Sequence, residues 1–288
     1  MPPVFFDDQH RVRNGWKVAG YLACTLALGF LLSFAYGMVP KALRPAGAGP
    51  WIEFVIFLGA AWACLRLERA PLVSIGFRLD GRWGRELALG ALGGFALMGA
   101  TALGVLALGG FHWTRTPGIG FGTLAKGLLL YLGVGFAEET GFRGYAFQRL
   151  IRGVGVPAAQ LLFALFFALV HWGNPGMSGA TRIWATVNIA LAALLLGLAY
   201  LRTGSLALPI GIHLGWNWTQ GTLFGFGVSG NAEAGWWTPV FHGRPEWLTG
   251  GAFGLEASLP CVLVCGAAIL LLARWKGRAS ADPAVLAA

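Results

Sequence analysis

The sequence predicts an all-α fold, a polytopic membrane helical bundle of about eight transmembrane helices. Hydrophobic residues make up 56% of the 288 residues and charged residues only 11%, whereas a soluble domain carries about 25% charged residues. The hydrophobic residues also gather in eight runs of the length needed to approach or cross a hydrocarbon core of about 30 Å. These runs cover residues 18–38, 51–65, 87–110, 121–150, 157–172, 183–201, 205–224 and 258–273.

The eight runs are expected to form a single transmembrane domain over residues 1–288, in three parts. Residues 1–120 hold three spans and a basic interfacial segment, and residues 121–225 hold the core spans. Residues 226–288 hold an outer loop, the last span and the tail. We expect the fourth run to form one unbroken helix to about residue 150.

The third run contains Gly90 and Gly94, which lie on one helix face at GxxxG spacing. Small residues at this spacing let two membrane helices approach each other closely. We therefore expect another helix to pack against this face.

The charge distribution predicts a membrane partner and an orientation. The formal net charge is +9, and such a basic chain can bind either nucleic acid or an anionic membrane surface. Cationic loops at the cytoplasmic leaflet explain the charge better in a membrane chain, so we predict the lipid bilayer as a partner and no nucleic acid. Most of the 21 Lys and Arg residues fall in the loops on the side of the two termini. We therefore expect an integral multi-pass cell membrane protein with both termini cytoplasmic.

Two adjacent carboxylates, Glu138 and Glu139, interrupt the fourth run and are followed by Arg143. A charged side chain at membrane depth costs at least ~2.5–3.5 kcal/mol, so such residues are usually functional. Arg143 lies four residues after Glu139 on the same helix face, and the two should pair. Glu138 points about 100° away from Glu139, which makes it a candidate general base. The alternative is a structural ion-pair network that uses both carboxylates.

Three further polar residues, His171, His213 and Asn217, lie in the later runs. At a rise of ~1.5 Å per residue, both histidines reach about the same depth as Glu138. Asn217 lies one turn after His213 on the same helix face, and the two can bind a metal or donate hydrogen bonds to an oxyanion. Each histidine alone would more often be a buried structural residue, but the common depth with Glu138 favours a shared site.

These residues resemble the motifs of the CPBP family, the CAAX-type prenyl proteases and bacteriocin-processing (Abi) enzymes. The motifs are Glu138-Glu139-x-x-x-Arg143, Phe167-x-x-x-His171 and His213-x-x-x-Asn217, in the order and spacing of the family, over roughly residues 130–220. The resemblance implies an intramembrane endopeptidase that hydrolyses a peptide bond. It also implies that Glu138 and His171 activate a water molecule, while Glu139 and Arg143 orient the site.

The resemblance leaves two mechanisms open. In one, which we favour, a divalent metal such as zinc is held by Glu138, His171, His213 and Asn217. In the other, His213 and Asn217 form the oxyanion hole of a metal-independent glutamate protease. The implied partner is a peptide or membrane-protein substrate; a prenylated CAAX peptide, a bacteriocin leader and a transmembrane signalling protein are the candidates.

Two other classes of function fit parts of the sequence. A proton-coupled transporter would also place Glu and His residues at mid-membrane. It would need a second polar half in the first three spans, which are almost free of ionisable residues. A non-enzymatic membrane scaffold or bacteriocin-immunity factor on the same fold would tolerate Glu138→Gln without loss of function.

Overall fold

The structure, a computed structural model, describes residues 4–277. This part of the chain consists mostly of α-helices, with one small antiparallel sheet. The helices are α1 (Asn14–Met38), α2 (Ala48–Glu68), α3 (Gly81–Ala107), α4 (Phe121–Arg143), α5 (Tyr145–Val154), α6 (Val156–Val170), α7 (Gly179–Thr203), α8 (Ala207–Trp218), α9 (Glu246–Thr249) and α10 (Leu259–Arg274). The strands are β1 (Phe111–Arg115) and β2 (Trp237–Phe241).

Four helices within residues 4–277, namely α1, α2, α3 and α7, are long and apolar enough to cross a membrane. Helices α6 and α10 are also apolar but have only 15 and 16 residues. Helix α4 ends in charged residues, and α8 has only 12 residues. The described part of the chain is therefore mainly helical, as expected for an all-α integral membrane protein. The count of eight spans stays a prediction.

Helix α8 lies at the centre of the bundle, where it packs against α3, α4 and α7. All but two of its 12 residues are buried. Helix α1 lies at the periphery, since Tyr21 is its one buried residue in the part of the chain that the structure describes. The central helix carries His213 and Asn217, so the predicted site is placed inside the bundle.

The GxxxG face of α3 packs so closely against α8 that the two backbones touch. A Cβ added at Gly94 would lie 2.1 Å from the carbonyl oxygen of Ile212. Helix α8 contributes two glycines of the same spacing, Gly211 and Gly215, on either side of His213. The close-packing face predicted from the sequence is thus confirmed, and it holds the backbone that carries His213.

The fourth run is not one helix to about residue 150, and that prediction was wrong. Helix α4 ends at Arg143, and α5 begins at Tyr145. The break lies at Gly144, where a Cβ would be 2.3 Å from the carbonyl oxygen of Thr140. Only glycine leaves room for this turn, so the helix axis changes direction directly after the charged motif.

Polar contacts hold α5 against the ends of α1 and α2. Glu68, the last residue of α2, accepts hydrogen bonds from the Tyr145 hydroxyl at 2.5 Å and from Arg149 Nη2 at 2.6 Å. Lys17 on α1 lies 3.5 Å from the same carboxylate. Because Arg149 is buried, its charge needs this partner, and the pairing draws α5 away from the axis of α4.

The two-stranded sheet is a second correction, because the sequence predicted only helices. Strands β1 and β2 pair antiparallel, with Phe111 opposite Phe241. The Phe111 ring also packs edge-on against Phe226, with ring centroids 4.9 Å apart. The sheet therefore fixes the chain that follows α8 against the bundle. No local pattern marked these strands, since each is short and its partner is far away in the sequence.

Replacing Gly94 by alanine should destabilise the bundle, because the new methyl group would overlap the backbone of α8. We expect a loss of about 1–3 kcal/mol, the usual cost of overpacking, measured as a lower thermal unfolding midpoint of the purified protein in detergent. Gly93→Ala is the matched control, since a Cβ at Gly93 meets no atom within 4 Å. Equal midpoints for the two variants would contradict the close approach of α3 and α8.

Candidate active site

The structure brings the four predicted catalytic residues to one cavity of about 290 Å³. Glu138 faces it from the last turns of α4, and His171 directly follows the end of α6. His213 and Asn217 face it from α8. Apolar side chains of α7 and α8 form much of the remaining wall. The four residues therefore share one cavity, while their common depth in the bilayer stays a prediction.

The carboxylate of Glu139 is fully buried and has two partners. Its Oε1 accepts a hydrogen bond from Arg143 Nη1 at 3.1 Å, which is the predicted pair, and another from His213 Nδ1 at 2.9 Å. Arg143 Nη2 also donates to the carbonyl oxygen of Ala193 at 3.1 Å. Glu139 thus ties α4 to α8 and, through Arg143, to α7. The sequence did not predict the contact with His213.

Glu138 is turned away from this pair and toward the cavity, as its helix position predicted. Its side chain is 26% exposed, whereas that of Glu139 is 0% exposed. Glu138 Oε2 lies 3.8 Å from His213 Nε2. Because His213 Nδ1 donates to Glu139, the Nε2 atom is the one that faces Glu138. An accessible carboxylate therefore stands beside an imidazole ring whose orientation is fixed.

His171 and Asn217 complete the predicted set. His171 Nδ1 donates to the carbonyl oxygen of Phe167 at 2.7 Å, which leaves Nε2 free to accept a hydrogen bond. Asn217 lies one turn after His213 and is buried. Within residues 4–277, His171 and Glu138 share no direct hydrogen bond or salt bridge, so joint action of the two would pass through the cavity.

A further polar group in the cavity, Glu256, was not predicted from the sequence. It lies in the 3-10 turn Leu255–Ala257 just before α10 and is 7% exposed. Its carboxylate accepts hydrogen bonds from the Ser229 backbone N–H at 2.6 Å and from Trp216 Nε1 at 3.3 Å. Burial raises the pKa of the Glu256 carboxyl, and the hydrogen bonds from Ser229 oppose that increase. The one feature of the sequence that could have pointed to Glu256 is that it is a single carboxylate among apolar residues next to the last span.

The described side chains only partly fit the predicted metal. Both histidines use Nδ1 for a hydrogen bond and keep Nε2 free, as metal-binding histidines usually do. However, no three His, Cys, Asp or Glu side chains within residues 4–277 lie close enough together to hold an ion. We therefore derive no reaction step through a metal. The zinc site expected from the sequence is not tested by the structure, and the metal-independent alternative is the one developed below.

Replacing Glu139 by glutamine should strongly destabilise the protein, because Arg143 would keep a buried charge without a counter-charge. Breaking a buried pair costs about 3–5 kcal/mol, which should appear as a lower thermal unfolding midpoint in detergent. Asp7→Asn is the comparison, since Asp7 and Arg11 have the same spacing but lie at the surface, where a pair contributes at most about 1 kcal/mol. Similar losses for the two variants would contradict the role of burial.

Comparison with known proteins gives a family match for the part of the chain that carries the site. Residues 120–219 match the model of a family described as type II CAAX prenyl endopeptidase Rce1-like. The matched segment contains all six residues that the sequence predicted for the site. No curated protein matches the chain. Residues 120–219 are thus similar to the CAAX-type intramembrane proteases of the CPBP family.

Proposed function

We propose that the protein is an intramembrane endopeptidase in which Glu138 is the general base. The observation that carries this proposal is the position of Glu138, which is accessible from the cavity and lies 3.8 Å from the fixed ring of His213. A general base must lie within hydrogen-bond reach of the proton that it removes, and the cavity gives a water molecule access to Glu138. The family that residues 120–219 match supports a peptide bond as the bond that is hydrolysed.

In the proposed reaction, Glu138 removes a proton from a water molecule while the water oxygen attacks the carbonyl carbon of the peptide. His171 is suited to hold the same water, because its free Nε2 accepts a hydrogen bond. When the carbon–nitrogen bond breaks, the proton passes from Glu138 to the leaving nitrogen. The products are a carboxylic acid and an amine, and Glu138 returns to its carboxylate form.

We propose that His213 and Asn217 stabilise the negatively charged oxygen that forms during the attack. The side-chain amide of Asn217 can donate a hydrogen bond to this oxygen directly. His213 can donate from Nε2 only when both ring nitrogens carry a proton, and the Glu139 carboxylate on Nδ1 stabilises that imidazolium. Arg143 in turn compensates the charge of Glu139. Glu139 and Arg143 therefore position the reacting groups without touching the substrate.

We further propose that the substrate is a peptide segment presented from the bilayer. A prenylated CAAX peptide is one candidate, in keeping with the description of the matched family. We also keep the proposal that both termini are cytoplasmic, which rests on the excess of Lys and Arg in the loops on that side.

Replacing Glu138 by glutamine should abolish proteolysis with little effect on stability, because the amide keeps the size of the side chain but cannot take the proton. General-base catalysis contributes about 10²–10⁴-fold, and we expect at least this loss of rate. The measurement is a mass-spectrometric comparison of new peptide termini in membranes that contain equal amounts of wild type or variant. Glu246→Gln is the matched control, since Glu246 is exposed and does not line the cavity.

Cleavage products that appear with the wild type and with Glu246→Gln, but not with Glu138→Gln, would support the endopeptidase. Identical termini in all three samples would contradict it. A cellular phenotype that survives Glu138→Gln would then favour the scaffold or immunity alternative.

The proposed reaction also predicts that chelation leaves the activity in place. No three His, Cys, Asp or Glu side chains within residues 4–277 lie close enough together to hold an ion. We therefore expect peptide cleavage by the purified protein to change less than about twofold after treatment with a strong zinc chelator. A required catalytic metal would contribute several kcal/mol, so its removal would lower the rate far more. Metal content measured on the same sample is the control for complete removal. Loss of cleavage that added zinc restores would contradict the metal-independent reaction.

A further inference from the structure

The cavity contains a buried carboxylate that the proposed reaction does not use. Glu256 lines the cavity together with Glu138 and is 7% exposed. All the groups that donate hydrogen bonds to it are neutral: the Ser229 backbone N–H at 2.6 Å, the Ser229 hydroxyl at 3.2 Å, Trp216 Nε1 at 3.3 Å and the Gln220 side-chain amide. These contacts hold the carboxylate in a fixed position but supply no positive charge.

Glu256 differs in this respect from Glu139, the fully buried carboxylate of the site. Glu139 has Arg143 at 3.1 Å, whereas Glu256 forms no salt bridge with any residue in the described part of the chain. His171 influences Glu256 electrostatically from a distance, and within residues 4–277 the two side chains form no hydrogen bond or salt bridge. Burial without a counter-charge disfavours the ionised form of a carboxyl group. A cation that enters the cavity would stabilise the ionised form of Glu256.

Apart from His213, whose imidazolium form the Glu139 carboxylate stabilises, the described wall carries no fixed positive charge. Among the described residues that line the cavity, three are Glu, namely Glu138, Glu233 and Glu256, and none is Lys or Arg. Asn188 on α7 also lines the cavity, is 1% exposed, and has an Oδ1 atom without a hydrogen-bond partner. A buried acceptor that lacks a donor costs about 1–3 kcal/mol. The wall therefore favours a ligand that brings N–H donors as well as positive charge.

We propose that this cavity binds a lysine or arginine side chain of the peptide substrate close to the bond that is cleaved, and that Glu256 is the carboxylate that selects it. The inference rests on the proposed function and names the substrate class of the same site. An ammonium or guanidinium group supplies the charge that Glu256 lacks and N–H donors for Asn188. The cavity volume of about 290 Å³ lies at the lower limit of ligand pockets, which suits one long side chain and its adjoining backbone.

Side chains of other classes fit this wall less well. An acidic side chain would face the three cavity carboxylates, and the His213 imidazolium would be the one positively charged group of the described wall to offset the repulsion. A purely apolar side chain would leave Glu256 and Asn188 Oδ1 without partners. The apolar residues of α7 in the wall, such as Leu195 and Leu196, instead suit the methylene groups of Lys and Arg, which pack on apolar surface while the charged end reaches a polar partner.

The test uses the purified full chain in detergent and a synthetic peptide library in which each position in turn carries Lys, Arg, Gln or Glu. Mass spectrometry of the new termini gives the rate for each peptide. For the wild type we expect Lys and Arg to exceed Gln by about tenfold at one position near the cleaved bond, as expected for a buried charge pair. Glu256→Gln should reduce this ratio to about twofold or less, whereas Glu246→Gln should leave it unchanged.

A binding measurement separates this inference from the proposed function. The Lys and Gln versions of one labelled library peptide are titrated onto the Glu138→Gln protein, with and without the second change Glu256→Gln. If the Lys peptide binds more tightly than the Gln peptide, and Glu256→Gln removes this difference, the cationic site is upheld. If the wild-type protein at the same time cleaves none of the peptides, the endopeptidase is overturned. Cleavage that needs Glu138 but shows no preference for Lys or Arg would overturn the cationic site and leave the endopeptidase in place.

A second variant keeps the test decisive if Glu256→Gln impairs folding, which a thermal unfolding midpoint would show. Glu233 also lines the cavity and is only half-buried, so Glu233→Gln removes a cavity charge with little risk to the fold. We expect it to lower the Lys to Gln ratio as well. A ratio that neither variant changes would overturn the assignment of the cavity carboxylates to a basic side chain.

Discussion

The Glu139 carboxylate is fully buried, and a charge in that position persists only if its surroundings compensate it. Arg143 on the same helix and His213 on the central helix both donate to one of its oxygens. The resulting contacts fix the distance between α4 and α8, the tautomer of His213 and the face that this ring turns toward Glu138. Glu138 can therefore stay accessible, because Glu139 and not Glu138 forms the ion pair that holds the helices together.

The features that depend on short spacing could be predicted from the sequence. The pair of Glu139 and Arg143 follows from the four-residue step of a helix, and the same geometry turns Glu138 in another direction. Gly90 and Gly94 likewise marked the face on which α3 meets α8. Hydrophobic runs located the helices but not the turn at Gly144, since one glycine in an apolar stretch is compatible with a continuous membrane helix.

The features that depend on distant parts of the chain could not be predicted in the same way. His213 and Glu139 are 74 residues apart, and only the packing of α8 against α4 decides that they touch. The pairing of β1 with β2 has the same origin. In the sequence Glu256 lies directly before the last span, and it enters the cavity because Ser229 and Trp216 hold the chain there.

The order in which Glu139, Arg143 and His213 are synthesised gives Arg143 a second role, during membrane insertion. Helix α4 leaves the ribosome before α8, so Glu139 must enter the bilayer while His213 does not yet exist. An isolated carboxylate would resist this step, but Arg143 lies one helical turn away and emerges with it. The ion pair thus lets α4 integrate as a nearly neutral unit. His213 then finds a carboxylate that is already in place, so assembly of the site follows membrane insertion without opposing it.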